Sequence, residues 1–251
     1  LLVSPGRVVF DMRKRTAALN LSNIGATEAT YRISLVRMEM DEAGGLTEVP
    51  LDKTSGAVNL PGLIRFSPRE VTLGVKEAQT IRLQVRKPAD LPTGEYRIHM
   101  MFRAVPPTPE AAKEVPQGER PKGISVKLTP VYGLAIPLIV RQGETSATAS
   151  LSGLAFDATS RKLSFHMDRQ GNQSVFGDLK VTWTPSHGKA ISVGEATGVA
   201  VYVPNATRKM LLPLAVLKGS STYRAGQFKV IFALPPTEGG KVLAEAILDL
   251  P

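Results

Sequence analysis

The sequence predicts an all-β protein made of two antiparallel sandwich domains, and three observations carry that reading. Strand-like runs recur every ten or so residues and are separated by Gly, Pro, Asn and Asp, while helix signals are weak. Within the runs apolar and polar residues alternate, which suits strands with one face buried and one wet. The 251 residues are enough for two separate cores.

Val8-Val9-Phe10 opens the first strand. Ala17 to Leu21 forms the second and ends in the turn Ser22-Asn23-Ile24-Gly25. Thr30 to Met40 sets Tyr31, Ile33 and Leu35 against Arg32 and Ser34, and Glu42-Ala43-Gly44-Gly45 closes it. Ile64 to Ser67 is stopped by Pro68. Val71 to Leu73 follows, and then Thr80 to Val85, with Ile81, Leu83 and Val85 on one face. Tyr96 to Val105 is a longer strand. A loop rich in Pro, Glu and Lys spans Pro106 to Gly123 and leads into the strand region Ile124 to Val140. Short strands without intervening helices suit a Greek-key sandwich of immunoglobulin type. The polar run Arg141-Gln142-Gly143-Glu144-Thr145 marks the boundary between a domain over 1–142 and a smaller sandwich over 143–251. In the latter, strands are read at 162–167, 175–183, 190–193, 199–203, 209–214, 227–234 and 241–250, after a start at Leu151. Gly171-Asn172 and Gly239-Gly240 have hairpin-turn chemistry.

Composition narrows the function. Hydrophobic residues make up 43% and charged residues 21%, ordinary values for a globular chain. No stretch approaches the roughly 18 apolar residues of a membrane helix. Val131 to Val140 is shorter, contains Gly133 and Pro137, and is read as a buried strand. The absence of cysteine excludes disulfides, iron–sulfur clusters and a catalytic thiol. Leu1 to Pro5 is not a signal peptide, and a mature exported protein would look the same. The net charge of +9 serves either a solvated basic surface or an anionic partner. Lys and Arg are scattered, with no dense basic run interleaved with aromatics, which argues against nucleic acid.

No constellation points to catalysis. His99, His166 and His187 lie far apart, and none has a metal-ligand partner at i+2 or i+4. His99 and His166 fall within strands and read as satisfied, partly buried histidines; His187 sits in a Pro-Ser-His-Gly turn. There is no nucleophile-elbow serine and no Gly-rich phosphate loop, and Asp41-Glu42 lies at a turn. The expectation is a non-enzyme without cofactor or metal.

The most informative segment is 124–128, where Ile124, Val126 and Leu128 alternate with Ser125, Lys127 and Thr129. In isolation this is an ordinary half-buried strand. Here it follows a long loop and precedes a second apolar stretch able to fill the domain's own core. A strand longer than its sheet requires leaves an apolar edge that invites a second chain to pair by β-augmentation.

Four places resemble the periplasmic pilus-assembly chaperones of the chaperone–usher pathway, and the resemblance extends over nearly the whole chain. They are Ser4-Pro5-Gly6-Arg7-Val8-Val9-Phe10, Leu19 to Gly25, Glu95 through Val105-Pro106-Pro107, and Ile124 to Arg141. The segments 171–178 and 199–203 are similar to that family's second domain. The resemblance implies a boomerang of two sandwiches, a periplasmic location, and pilus subunits and an outer-membrane usher as partners, with no nucleic acid and no membrane insertion. It further implies Ile124, Val126 and Leu128, with Tyr132 beyond Pro130, as a donor strand that fills a subunit's groove. Arg7 would anchor the subunit's C-terminal carboxylate, for which a bidentate guanidinium is well suited. Glu95 and Arg141 would form an interdomain ion pair. Taken alone, Arg7 is a surface arginine at a strand start. The chain departs from the family where a second anchoring lysine is usual: that place is Pro137, with Lys127 and Arg103 as candidate substitutes. His99 and Met101 also differ from the usual residues of their strand. The alternative reading is an immunoglobulin-like structural or adhesive surface module.

Overall fold

The computed structural model describes residues 1–51, 58–106, 132–217, 223 and 225–251. Among them are seventeen strands and two single-turn 3-10 helices, at Leu60–Leu63 and Pro236–Glu238. The chain is all-β. Its contacts divide it into two compact units: Leu1–Arg37, Pro50–Leu91 and Tyr96–Val140 form one, and Met38–Val49, Pro92–Glu95 and Arg141–Pro251 the other.

In the first unit, β1 (Leu2–Ser4), β3 (Thr16–Ser22), β8 (Ala78–Val85) and β6 (Ile64–Ser67) make one sheet in the order β1-β3-β8-β6. The facing sheet runs β2 (Val8–Phe10), β10 (Gly133–Gln142), β9 (Gly94–Val105) and β4 (Ala29–Met40), with β7 (Glu70–Leu73) paired to β4; β5 (Leu46–Val49), next to β4 in the strand order, clusters with the second unit. The strand predicted at Val8–Phe10 is present, and a strand not read from the sequence, Leu2–Ser4, precedes it in a different sheet. Leu2–Ser4 pairs antiparallel with β3, whereas Val8–Phe10 pairs parallel with Leu138–Val140. Pro5, which cannot donate to a ladder, and Gly6 lie in the crossover between them. Alternation fills the core as expected: Leu19 and Leu21, Ile81 and Leu83, Phe102 and Leu138 are all buried in one cluster.

In the second unit, β11 (Ala147–Asp157), β12 (Lys162–Gly171) and β15 (Thr207–Pro213) form one sheet. The other has the order β14 (Ile191–Val201), β13 (Val175–Pro185), β16 (Gly226–Ala233), β17 (Val242–Leu250). Phe165, Val181, Phe228 and Phe232 centre its core. Two sequence readings are corrected here. Gly171-Asn172 is not a hairpin turn, because β12 pairs with β11 and β15 while β13 belongs to the other sheet. Gly171 instead turns the chain between sheets at φ +108, and a Cβ on it would collide with the Ser146 carbonyl oxygen. The segments 190–193 and 199–203 are the two ends of the single strand β14. Its pairing with β13 absorbs two register shifts, so Gly194 and Gly198 do not interrupt it.

The Asn23 turn is held from within. Asn23 is 2% exposed. Its side-chain amide donates to the carbonyls of Thr27 (2.8 Å), Leu73 (3.0 Å) and Gly74 (3.1 Å), and its Oδ1 accepts from Gly25 N at 2.9 Å. Asn23→Ala leaves these buried groups without that partner, so a loss of about 2–4 kcal/mol is expected in urea unfolding. A loss under about 1 kcal/mol would show that water replaces the amide.

Candidate functional site: an overhanging apolar strand

Strand β10 is longer than its partner on one side. On β9, the Ala104 N–H donates to the Tyr132 carbonyl at 3.0 Å, and at the far end Glu95 faces Arg141, so the two strands keep one antiparallel register. On the other flank β2 covers only Leu138, Ile139 and Val140. From Gly133 to Pro137 no described strand pairs with β10 on that flank. Backbone groups of an antiparallel strand point alternately to its two neighbours. Since Tyr132 points to β9, Ala135 and Pro137 point to the open flank. The missing donor of Pro137 therefore removes no bond to β9, which explains how proline is tolerated there.

The side chains show a gradient along one face. Val140, Leu138 and Ile136 are 2%, 0% and 3% exposed and belong to the first unit's core. Two and four residues further out, Leu134 is 39% and Tyr132 75% exposed. The apolar row thus continues past the core it fills. Ile124, Val126 and Leu128, like Lys127, lie outside the described residues; they share the even spacing of this row in the sequence. Leu134 was not singled out from sequence, although the same spacing points to it.

Arg7 is half-buried in the crossover before β2. The parallel register Val8–Leu138 sets it level with Pro137, where the open flank of β10 begins. Arg103 is exposed on β9, opposite Arg32 of β4.

Glu95 and Arg141 both cluster with the second unit. The Glu95 carboxylate is 1% exposed, and its Oε2 accepts from Arg141 Nε at 3.0 Å. Its Oε1 accepts from the Ser174 N–H at 3.2 Å and from the Ser174 hydroxyl, which in turn accepts from Val203 N at 3.1 Å. Beside it, Arg169 is 7% exposed. Its guanidinium donates to the carbonyls of Asn205 (2.9 Å), Gly171 (2.6 Å) and Gln173 (3.1 Å). Ser174 carries no sequence signal for this role, because its partners Glu95 and Val203 are distant in sequence; Arg169 binds two nearby carbonyls, Gly171 and Gln173, and one distant one, Asn205.

His99 is wholly buried rather than partly buried. Burial, with the positive charge of Arg97 as a smaller cause, lowers its pKa to about 4. Its folded pKa lies below the unfolded value of about 6.5, so the neutral ring's contribution is complete above pH 6.5 and is lost as pH falls toward 4. Up to about 3 kcal/mol of stability is expected to disappear over that window. His99→Gln should flatten the slope of unfolding free energy between pH 6.5 and 4; an unchanged slope would assign the pH dependence to other groups.

The fold and site define an all-β protein of two units in which, among the described residues, an apolar strand edge has no partner strand. No protein-family model matches the chain, and no curated protein sequence matches it. It is similar to the crystal structure of the CupB2 chaperone of Pseudomonas aeruginosa, with 15% identity, 99% of this chain and 98% of that chain covered, and a TM-score of 0.48. It is similar to the SafB chaperone–SafA pilin complex of Salmonella enterica at 19% identity, 99% and 95% coverage and a TM-score of 0.44. It is also similar to the CsuC–CsuE chaperone–tip adhesion subunit pre-assembly complex from the archaic chaperone-usher Csu pili of Acinetobacter baumannii, at 14% identity, 83% and 88% coverage and a TM-score of 0.44. Among the described residues no helix is long and apolar enough to cross a membrane.

Proposed function

We propose that this chain is a periplasmic chaperone of pilus assembly that holds an incomplete subunit by lending it the apolar row of β10 and the segment before it, and then passes the subunit to an outer-membrane usher. The observation that carries this reading is the exposure of Tyr132 and Leu134 on the same face as the buried Ile136, Leu138 and Val140, beside a flank that β2 leaves uncovered. An extended segment of a second chain can take the open backbone groups by β-augmentation, with the row filling its groove. Each side chain so buried contributes on the order of 1.5–3 kcal/mol. In this reading Ile124, Val126 and Leu128, which share the row's even spacing in the sequence, lengthen the lent strand, and Arg7, level with the start of the open flank, grips a terminal carboxylate. Glu95 and Arg141 act as the pair that stiffens the chain where β9 begins and β10 ends.

Co-expression with candidate small pilin-like subunits tests the reading. A 1:1 complex with a subunit that is unstable alone is expected, and failure with every such subunit would refute it. Arg7→Ala should lower subunit recovery at least tenfold with an unchanged melting temperature. Unaltered recovery would remove Arg7 from the mechanism and leave strand donation standing.

A further inference from the structure

The basic residues that are scattered along the sequence converge at one end of the first unit. Arg13, Lys14 and Arg15 precede β3; Arg82, Arg86 and Lys87 lie on or just after β8; Arg65 is on β6. The three strands are neighbours, in the order β3-β8-β6. Backbone bonds from Val85 N to Arg15 O (2.8 Å) and from Arg86 N to Leu63 O (2.8 Å) bring the segments together. Against these seven cations the same segments hold one carboxylate, Asp11, whose Oδ1 already accepts from the N–H groups of Arg13 and Lys14. Like charge is felt locally: burial and then Arg15 lower the Lys87 pKa.

The outer face of this sheet has shape as well as charge. An open groove of about 630 Å³ lies over it, lined by Thr16, Ala18, Arg65, Ser67, Arg82 and Gln84 among others. Register sets Ala18 and Ser67 on either side of Arg82, and Gln84 opposite Arg65. The small residues form the floor, and the two arginines stand on adjacent strands, diagonal to one another. Both are exposed, and neither side chain has a hydrogen bond or ion pair to a described residue. A second hollow, sharing Ser67 and Arg82, continues along the face toward Gln79 and Thr80.

We propose that this groove docks an extended acidic polypeptide segment, with Arg65 and Arg82 gripping two of its carboxylates. Two guanidinium forks side by side suit carboxylates, each able to take a bidentate pair. A groove running across adjacent strands between the two arginines favours a single extended chain over a flat lipid surface. Phe66, the aromatic lining it, is 7% exposed and offers no face on which bases could stack. The site lies on the sheet opposite to that of β10, so it is independent of the strand-donating edge.

The test is fluorescence anisotropy of the full chain with a labelled decapeptide of alternating Glu and Ser, and with its Gln-for-Glu counterpart. The Glu peptide should bind, the Gln peptide should bind at least tenfold more weakly, and affinity should fall as salt rises. Arg65→Ser and Arg82→Ser, both at exposed positions, should each weaken binding at least fivefold with an unchanged melting temperature. A control that removes two positive charges elsewhere, Lys180→Ser with Lys189→Ser in the second unit, should leave affinity within twofold. Equal binding of the Gln peptide, unchanged affinity in both arginine variants, or an equal loss in the control would overturn the proposal. Tighter binding to phosphatidylglycerol vesicles or to oligothymidine than to the Glu peptide would overturn it in favour of a lipid or nucleic-acid surface.

Discussion

Glu95→Ala is expected to destabilise the protein by about 3–5 kcal/mol, the range for removing one partner of a buried ion pair. The carboxylate is 1% exposed and accepts from Arg141 and from both donors of Ser174. Its removal takes one partner from the Arg141 guanidinium, 22% exposed, and the shared acceptor from two donors of Ser174, in surroundings with little water. The serine hydroxyl also accepts from Val203, so the damage passes to the start of the 203–206 turn. Arg141→Ala should cost less, because an arginine at that exposure recovers part of its solvation. A double-mutant cycle in urea should give a coupling energy above about 1 kcal/mol, as groups in direct contact do. A loss below about 1 kcal/mol for Glu95→Ala would mean that the pair orients the chain without stabilising it.

The second large effect is functional. Tyr132→Asp combined with Leu134→Asp should reduce recovery of subunit complexes at least a hundredfold, at a cost below about 1 kcal/mol in the stability of the free protein. The two parts follow from one observation: these side chains are exposed in the free chain and would be buried in the complex. Two buried side chains at about 1.5–3 kcal/mol each amount to more than two decades of affinity. Ile136→Asp supplies the contrast. Ile136 is 3% exposed in the core, so a charge there should unfold the first unit rather than weaken capture alone. If the double variant retained full recovery, the row would be an ordinary exposed strand end and the proposed mode of binding would fall.

Much of the fold was legible in the residues because alternation is a local signal. Ile81, Leu83 and Val85 declared an inward face by spacing alone, and all three are buried. The even-numbered apolar row that runs from Ile124 through Leu134 to Val140 was likewise in the sequence, as were the two histidines placed within strands. What alternation does not carry is the identity of the partner strand. Whether Val8–Phe10 pairs in the same sheet as Leu2–Ser4, or Lys162–Gly171 forms a hairpin with Val175–Pro185, depends on contacts between residues far apart in sequence. Strand preference reflects such neighbours more than any intrinsic backbone tendency. The polar node around Glu95 escaped the sequence reading for the same reason. Glu95, Ser174 and Val203 have nothing in common until three distant segments meet.

By itself, then, the sequence determined the two-layered β character and the alternation of the apolar row, since period and composition are properties of short windows. Only the tertiary structure decided where that row leaves the core. It did so through the register of β2 on β10, which ends at Leu138 and leaves Leu134 and Tyr132 in solvent. Pairing sets burial, and burial turns an alternating strand into one with apolar surface to offer.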